Sequence, residues 1–99
     1  MNNTYEIYLV SDSTGETLDR IFLALKAQFN KIIYKKHQFS FIRTENQVLK
    51  IVDVCKKKKN SIILYTIVDT KLAKFLNMLL NFYPHLLAYK NNNKFIYYY

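Results

Sequence analysis

The sequence predicts an α/β fold: a βαβαβα chain with a small three-stranded parallel sheet and an irregular C-terminal tail. Three observations carry that prediction. Short apolar runs of strand length alternate with segments whose apolar residues recur at intervals of three and four. The run Ser61–Val68 hardly alternates, as a strand covered on both faces of a parallel sheet would not. Two patterns of the capping-box type, Ser13-x-x-Glu16 and Thr44-x-x-Gln47, stand where a strand hands over to a helix. Such alternation implies parallel strands joined by right-handed crossovers.

Taken in order, Tyr5–Ser11 is the first strand, with Ile7, Leu9 and Val10 apolar and two tyrosines adding β propensity. Asp12–Gly15 is a turn, and Gly15 is the only glycine in the chain. The Ser13 box predicts a helix beginning at Thr14. Between Glu16 and Phe29, the residues Leu18, Ile21, Phe22, Leu25 and Phe29 form one helix face. Asp19, Arg20 and Lys26 fall off it and are expected in water. Asn30–Lys36 reads as a connection, and the alternation of Phe39 and Phe41 with Gln38 and Ser40 places a second strand near His37–Ile42. The second helix, capped by Thr44, is expected to bury Val48, Leu49, Val52 and Cys55. It ends in Lys56–Lys59, where cations suit the negative end of the helix dipole. Asp69 or Thr70 caps a third helix with the stripe Leu72, Phe75, Leu76, Leu79 and Leu80. After about Asn81 the pattern fails, and Lys90–Tyr99 is of low complexity. Residues 1–80 are therefore expected as the α/β domain and 81–99 as a tail without structure. Three strands alone would leave both sheet edges without partners.

Composition narrows the function classes. Ninety-nine residues make one domain at most, and a chain of this size buries roughly 60–70% of its unfolded surface. Hydrophobic residues at 51% and aromatics at 16% exclude a disordered class. No apolar run reaches the roughly 18 residues of a membrane span, and the N-terminus lacks the basic-then-apolar order of a signal peptide. Cys55, the single cysteine, cannot form an internal disulfide, so a cytoplasmic setting is expected. A net charge of +8 and a pI near 9.6 suit a nucleic acid or an acidic surface. Yet Lys, Asn, Ile, Tyr and Phe are abundant along the whole chain, which reads as a background preference. Lys56–Lys59 has no interleaved aromatics, so a nucleic-acid partner is disfavoured.

Several common sites are absent from the sequence. A phosphate-binding loop of the G-x-x-x-x-G-K-[ST] type needs two glycines, and the dinucleotide fingerprint more. No nucleotide-binding residue and no cofactor is therefore assigned to this chain. Cys55, His37 and His85 provide no zinc-ligand cluster and no metal is expected. Cys55 is expected as a small core residue, and both histidines as incidental. What remains is the stretch Leu9-Val10-Ser11-Asp12-Ser13-Thr14-Gly15-Glu16-Thr17.

In parallel sheets ligands sit beyond the carboxyl ends of the strands. Three turns are predicted to meet there: Asp12–Gly15, Arg43–Thr44 and Asp69–Thr70. The lysine run belongs to the opposite end. Ser11, Ser13, Thr14 and Thr17 offer hydroxyls, and the helix start offers free N–H groups, a combination suited to a phosphoryl group or a phosphorylated side chain. Asp12 and Glu16 would repel such a group unless a metal or an arginine intervenes, and Arg43 stands at the same end. Asp12 could instead accept a proton from an attacking hydroxyl. On these residues alone a capped helix with no ligand is equally open. Thr44 and Asp69 are caps by default, and no catalytic residue is assigned.

Leu9–Thr17 resembles the N-terminal signature of the pyruvate, phosphate dikinase and phosphoenolpyruvate synthase regulatory proteins. Ile42-Arg43-Thr44-Glu45-Asn46-Gln47 and Leu64-Tyr65-Thr66-Ile67-Val68-Asp69 agree in order, and the resemblance covers Tyr5 to about Leu76. It implies a bifunctional enzyme, an ADP-dependent serine/threonine kinase that inactivates the dikinase or synthase by phosphorylating an active-site threonine. The reverse service is a phosphate-dependent removal of that group, yielding pyrophosphate. ADP and phosphate would be the substrates, and the dikinase or synthase the cytoplasmic protein partner. The matched motifs mark Ser11, Asp12, Ser13, Thr14, Gly15, Glu16, Thr17 and Arg43 as candidates for substrate or phosphate contact. The family's nucleotide-binding loop lies in its C-terminal part and has no counterpart among these residues. The expectation is an N-terminal fragment of such an enzyme, inactive alone. The alternatives are a non-catalytic docking module and a basic nucleic-acid-binding domain. The oligomeric state is not fixed by the sequence.

Overall fold

The strands and helices alternate through most of the chain. Among the described residues the order is β1 (Thr4–Ser11), α1 (Glu16–Lys26), β2 (Ile33–Phe39), α2 (Glu45–Lys56), β3 (Ser61–Thr66), α3 (Thr70–Leu80), β4 (Leu87–Asn91) and β5 (Ile96–Tyr98). The computed structural model describes residues 4–27, 31–83, 87–91 and 96–98. One sheet holds all the strands in the order β2-β1-β3-β4-β5. β1 lies parallel to β2, from Thr4 opposite Ile33 to Val10 opposite Phe39. It also lies parallel to β3, from Glu6 opposite Ser61 to Ser11 opposite Thr66. The predicted βαβαβα unit and its parallel sheet are thus present. The segment expected to be irregular adds two strands, β4 parallel to β3 and β5 antiparallel to β4. His85 lies outside the described residues.

The apolar pattern dictates which strands are central. Along β1 successive side chains point to opposite faces. Ile7 and Leu9, with Leu64 of β3, pack against Leu18 and Phe22 of α1. Tyr8 and Val10, with Ile63 and Tyr65, pack on the other face against Val48, Ile51, Val52 and Cys55 of α2 and Leu72 and Leu76 of α3. Full burial of each large aliphatic or aromatic side chain favours the fold by about 1.5–3 kcal/mol, so β1 and β3 hold both layers together. Ile21 and Leu25 of α1 are half-buried, and Phe29 lies outside the described residues. Arg20 and Lys26 are exposed as expected, whereas Asp19 is half-buried and accepts from Gln38 Nε2 at 3.1 Å.

β1 starts one residue earlier than read, at Thr4, and β3 ends at Thr66, two residues short of Val68; three larger features differ from the sequence reading, each for a local reason. β2 begins at Ile33 and ends at Phe39, earlier than His37–Ile42. As an edge strand it exposes Lys35 and Lys36, which makes its first half look like a connection. Phe41 is not a strand residue: its φ is 57°, and the chain turns there. In α2 the buried set is Val48, Ile51, Val52 and Cys55, a single face at i, i+3, i+4 and i+7. Leu49 falls to the side, 44% exposed, in a groove with Leu79 of α3 and Tyr83. α1 starts at Glu16 rather than Thr14, a shift considered below.

At the amino end of the sheet, far from the turns, α2 closes with charges. Lys56 and Lys57 each reach Asp53 at 3.2 Å. Lys57 first and Lys56 second hold the Asp53 carboxyl below its ordinary range. Cys55 is buried, and burial pushes its thiol up to about 12, which fits a packed core residue and not a nucleophile. His37 is likewise occupied, with Nε2 2.7 Å from Glu6 Oε1 and its ring stacked on Tyr8 at 4.7 Å.

Candidate functional site

The parallel register sets the carboxyl ends of β1, β2 and β3 side by side, so the turns that leave them must share one rim. They are joined there by hydrogen bonds between turns. The first and second turns are tied through the backbone: Ile42 N–H donates to Ser11 O at 3.0 Å, and Phe41 N–H to Ser13 O at 2.9 Å. Ser40 Oγ adds a bond to Thr14 O at 3.0 Å. The first and third turns are tied through Asp12, whose Oδ2 accepts from Val68 N–H at 2.7 Å and Asp69 N–H at 3.2 Å. Arg43 Nη1 donates to Asp12 O, so all three turns meet at Asp12. The predicted convergence of Asp12–Gly15, Arg43–Thr44 and Asp69–Thr70 is therefore present.

Within the first turn each candidate residue has a distinct place. Ser11 is buried, and its Oγ accepts from Ser13 N–H at 3.0 Å and lies 3.1 Å from Ser13 Oγ. Thr14 Oγ1 accepts from Glu16 N–H at 3.3 Å. Gly15 is the N-cap of α1, with φ 89° and ψ 3°. That left-handed conformation displaces the expected Ser13 box: Ser13 turns back to Ser11, the N-cap residue has no side chain to offer, and only Thr14 takes a first-turn N–H, that of Glu16. A Cβ on Gly15 would lie 2.9 Å from Gln38 Nε2 and 3.3 Å from Ser40 Oγ. The glycine is needed twice, for its torsion and for the approach of β2 side chains.

The result is an open helix start. The first intrahelical bond runs from Asp19 N–H to Gly15 O at 2.9 Å. Among the described residues no group accepts from the N–H of Thr17 or Leu18. Ser13, Thr14, Glu16 and Thr17 are exposed at this start, and Arg43 is exposed in the second turn, its guanidinium on the Asp12 carbonyl. Free N–H groups at the positive end of a helix dipole, beside hydroxyls, form an environment that favours an anion. Asp12 does not compete for it, because its carboxylate is directed into the third turn.

Three contributors escaped the sequence reading. Gln38 and Ser40 extend from the end of β2 over Gly15, and Phe41 carries Arg43 with the guanidinium carbon 5.7 Å from the ring centroid. Phe41 is 54% exposed and holds a positive φ, a conformation rare for a bulky residue. Gln38 and Ser40 sit in an alternating run that gives period but not face, and no glycine or asparagine marks the bend at Phe41.

A sequence model described as kinase/pyrophosphorylase matches residues 7–84. The chain belongs to the kinase/pyrophosphorylase family. The matched span runs from within β1 through α3 and takes in every turn of the rim. A curated relative from Pelagibacter ubique, named as a pyruvate, phosphate dikinase regulatory protein, is 70% identical over 76 residues, covering 77% of this chain and 28% of the relative. Relatives of the same name from Agrobacterium fabrum and Geotalea uraniireducens are 40% and 39% identical, covering 75% and 72% of this chain and 27% and 26% of themselves. The chain spans about a quarter of the length of these relatives and matches their N-terminal part. Among the described residues no helix is long and apolar enough to cross a membrane.

Proposed function

We propose that this chain supplies the phosphoryl-contact rim of a regulatory phosphotransferase that acts on pyruvate, phosphate dikinase or phosphoenolpyruvate synthase. In that reading the reaction is the ADP-dependent phosphorylation of a threonine on the target and its phosphate-dependent reversal with release of pyrophosphate. The uncapped start of α1 carries the proposal, since a family of phosphotransferases gives an anion-favouring rim an evident substrate. The N–H groups of Thr17 and Leu18, the hydroxyls of Ser13, Thr14 and Thr17, and Arg43 hold the phosphoryl group. Gly15 sets the helix start, Ser11 anchors the turn from below, and Glu16 borders the rim. The 99 residues include one glycine and no nucleotide loop, so ADP is bound by residues outside them and the chain alone transfers nothing.

Inorganic phosphate titrated into the chain tests the rim. Amide resonances of Thr14–Leu18 and the Arg43 side chain should move in a saturating way, and an unchanged spectrum overturns the reading. A phosphotransfer assay with ADP and the dikinase tests the rest: threonine phosphorylation by the 99 residues alone would refute the assignment of nucleotide binding elsewhere.

A further inference from the structure

We propose that Asp12 is a positioning residue of this rim, a strut that sets the third turn and Arg43 through hydrogen bonds and not through its charge. The inference rests on the phosphoryl-contact reading and assigns one side chain a part in it. β1 leads into α1 on one face of the sheet, and β3 leads into α3 on the other. Ser11 and Thr66 are register partners, so the two chains part company just beyond them. Open α/β sheets leave a crevice where adjacent strands diverge to opposite faces. Here the Asp12 side chain spans it. One oxygen, Oδ2, takes both Val68 N–H at 2.7 Å and Asp69 N–H at 3.2 Å, which holds that oxygen against the third turn. The same residue donates its N–H to Thr66 O at 3.4 Å and gives its carbonyl to Arg43 Nη1. Backbone and side chain of Asp12 thus touch both neighbouring turns, and the guanidinium is placed by the residue that the third turn holds still. A negative charge beside a phosphate site is otherwise unfavourable, so its presence needs a reason other than charge.

The test separates charge from hydrogen bonding. Asp12→Asn and Asp12→Ala remove the same charge, but only asparagine keeps an oxygen for the two N–H groups. Were charge the whole effect, both variants would bind inorganic phosphate more tightly than the unaltered chain, and equally. For a strut, Asp12→Asn binds phosphate at least as tightly as the unaltered chain, and Asp12→Ala binds about tenfold less tightly than Asp12→Asn. Equal affinities in the two variants overturn the proposal. Amide hydrogen exchange without ligand is the second readout. Val68 and Asp69 should stay protected in Asp12→Asn and exchange at least about tenfold faster in Asp12→Ala. If Asp12→Ala does not fold, the asparagine variant decides alone: retained protection supports the strut, and lost protection overturns it. Failure of the unaltered chain to bind phosphate would refute the phosphoryl-contact reading, while exchange still judges the strut.

Discussion

Two helices in this chain begin with nearly the same four-residue signature and end up capped in different ways. At α2, Thr44 Oγ1 accepts from Gln47 N–H at 3.2 Å and Gln47 Oε1 accepts from Thr44 N–H at 3.0 Å, a reciprocal box. Arg43 N–H donates to the same Gln47 oxygen at 2.6 Å, so cap and third helical residue are locked together, while among the described residues nothing accepts from the N–H of Glu45 or Asn46. At α1, Ser13 and Glu16 stand at the same spacing, yet the helix starts two residues later than the box requires. The difference is Gly15 inside the pattern. A residue with φ 89° cannot be the second helical residue after a Ser13 cap, and it becomes the cap itself. The capping-box pattern therefore specifies closure only if its interior residues can be helical. Where a left-handed residue interrupts it, the same polar residues surround open N–H groups.

Substitutions at these two starts should differ in size and in kind. The largest effect is expected at Gly15→Val. Forcing a β-branched residue to φ 89° against Gln38 and Ser40 should cost about 2–3 kcal/mol. That corresponds to a fall of roughly 10–20 °C in melting temperature, with phosphate binding abolished. A melting temperature within a few degrees of the unaltered chain would show that the glycine is not required. Thr44→Ala comes next, with a loss of about 1 kcal/mol in chemical denaturation and phosphate affinity unchanged. Ser13→Ala should invert that result, costing under about 0.5 kcal/mol while weakening phosphate binding severalfold. If denaturation instead shows Ser13→Ala costing as much as Thr44→Ala, α1 is capped in solution after all.

What the sequence made legible follows the same division. β1 and β3 could be read because both their faces are apolar, and the α2 box because both its members bond as their types suggest. The meeting of three turns followed from the parallel direction of the strands, which puts their carboxyl ends at one end of the sheet. The start of β2 was hidden because an edge strand is half solvent-facing and Lys35 and Lys36 carry no apolar period. Leu49 and Ile51 could not be ranked without knowing where α3 lies, since a groove residue and a core residue are equally apolar. Asp12 was legible as a residue of the rim but not as a bridge, because its partners are backbone groups of Val68 and Asp69, which any residue types would supply. β4 and β5 lie in a stretch whose repeated asparagine, lysine and tyrosine have no strand period.

The smallest expected effect tests whether the two helix starts are energetically separate. Cys55 sits on the buried face of α2, and with its thiol pushed up to about 12 it reacts with a disulfide reagent at pH 8 only when that helix opens. Its labelling rate is thus a local gauge of α2. Thr44→Ala, by removing about 1 kcal/mol from the start of that helix, should raise the rate about fivefold. Ser13→Ala lies across the sheet, in the turn before a helix that packs on the other core, and should leave the rate within about twofold. Equal acceleration by both would mean that the thiol reports only global unfolding. In that case the open and closed starts belong to one cooperative unit, and the freedom of the α1 start would have to be sought in ligand binding alone.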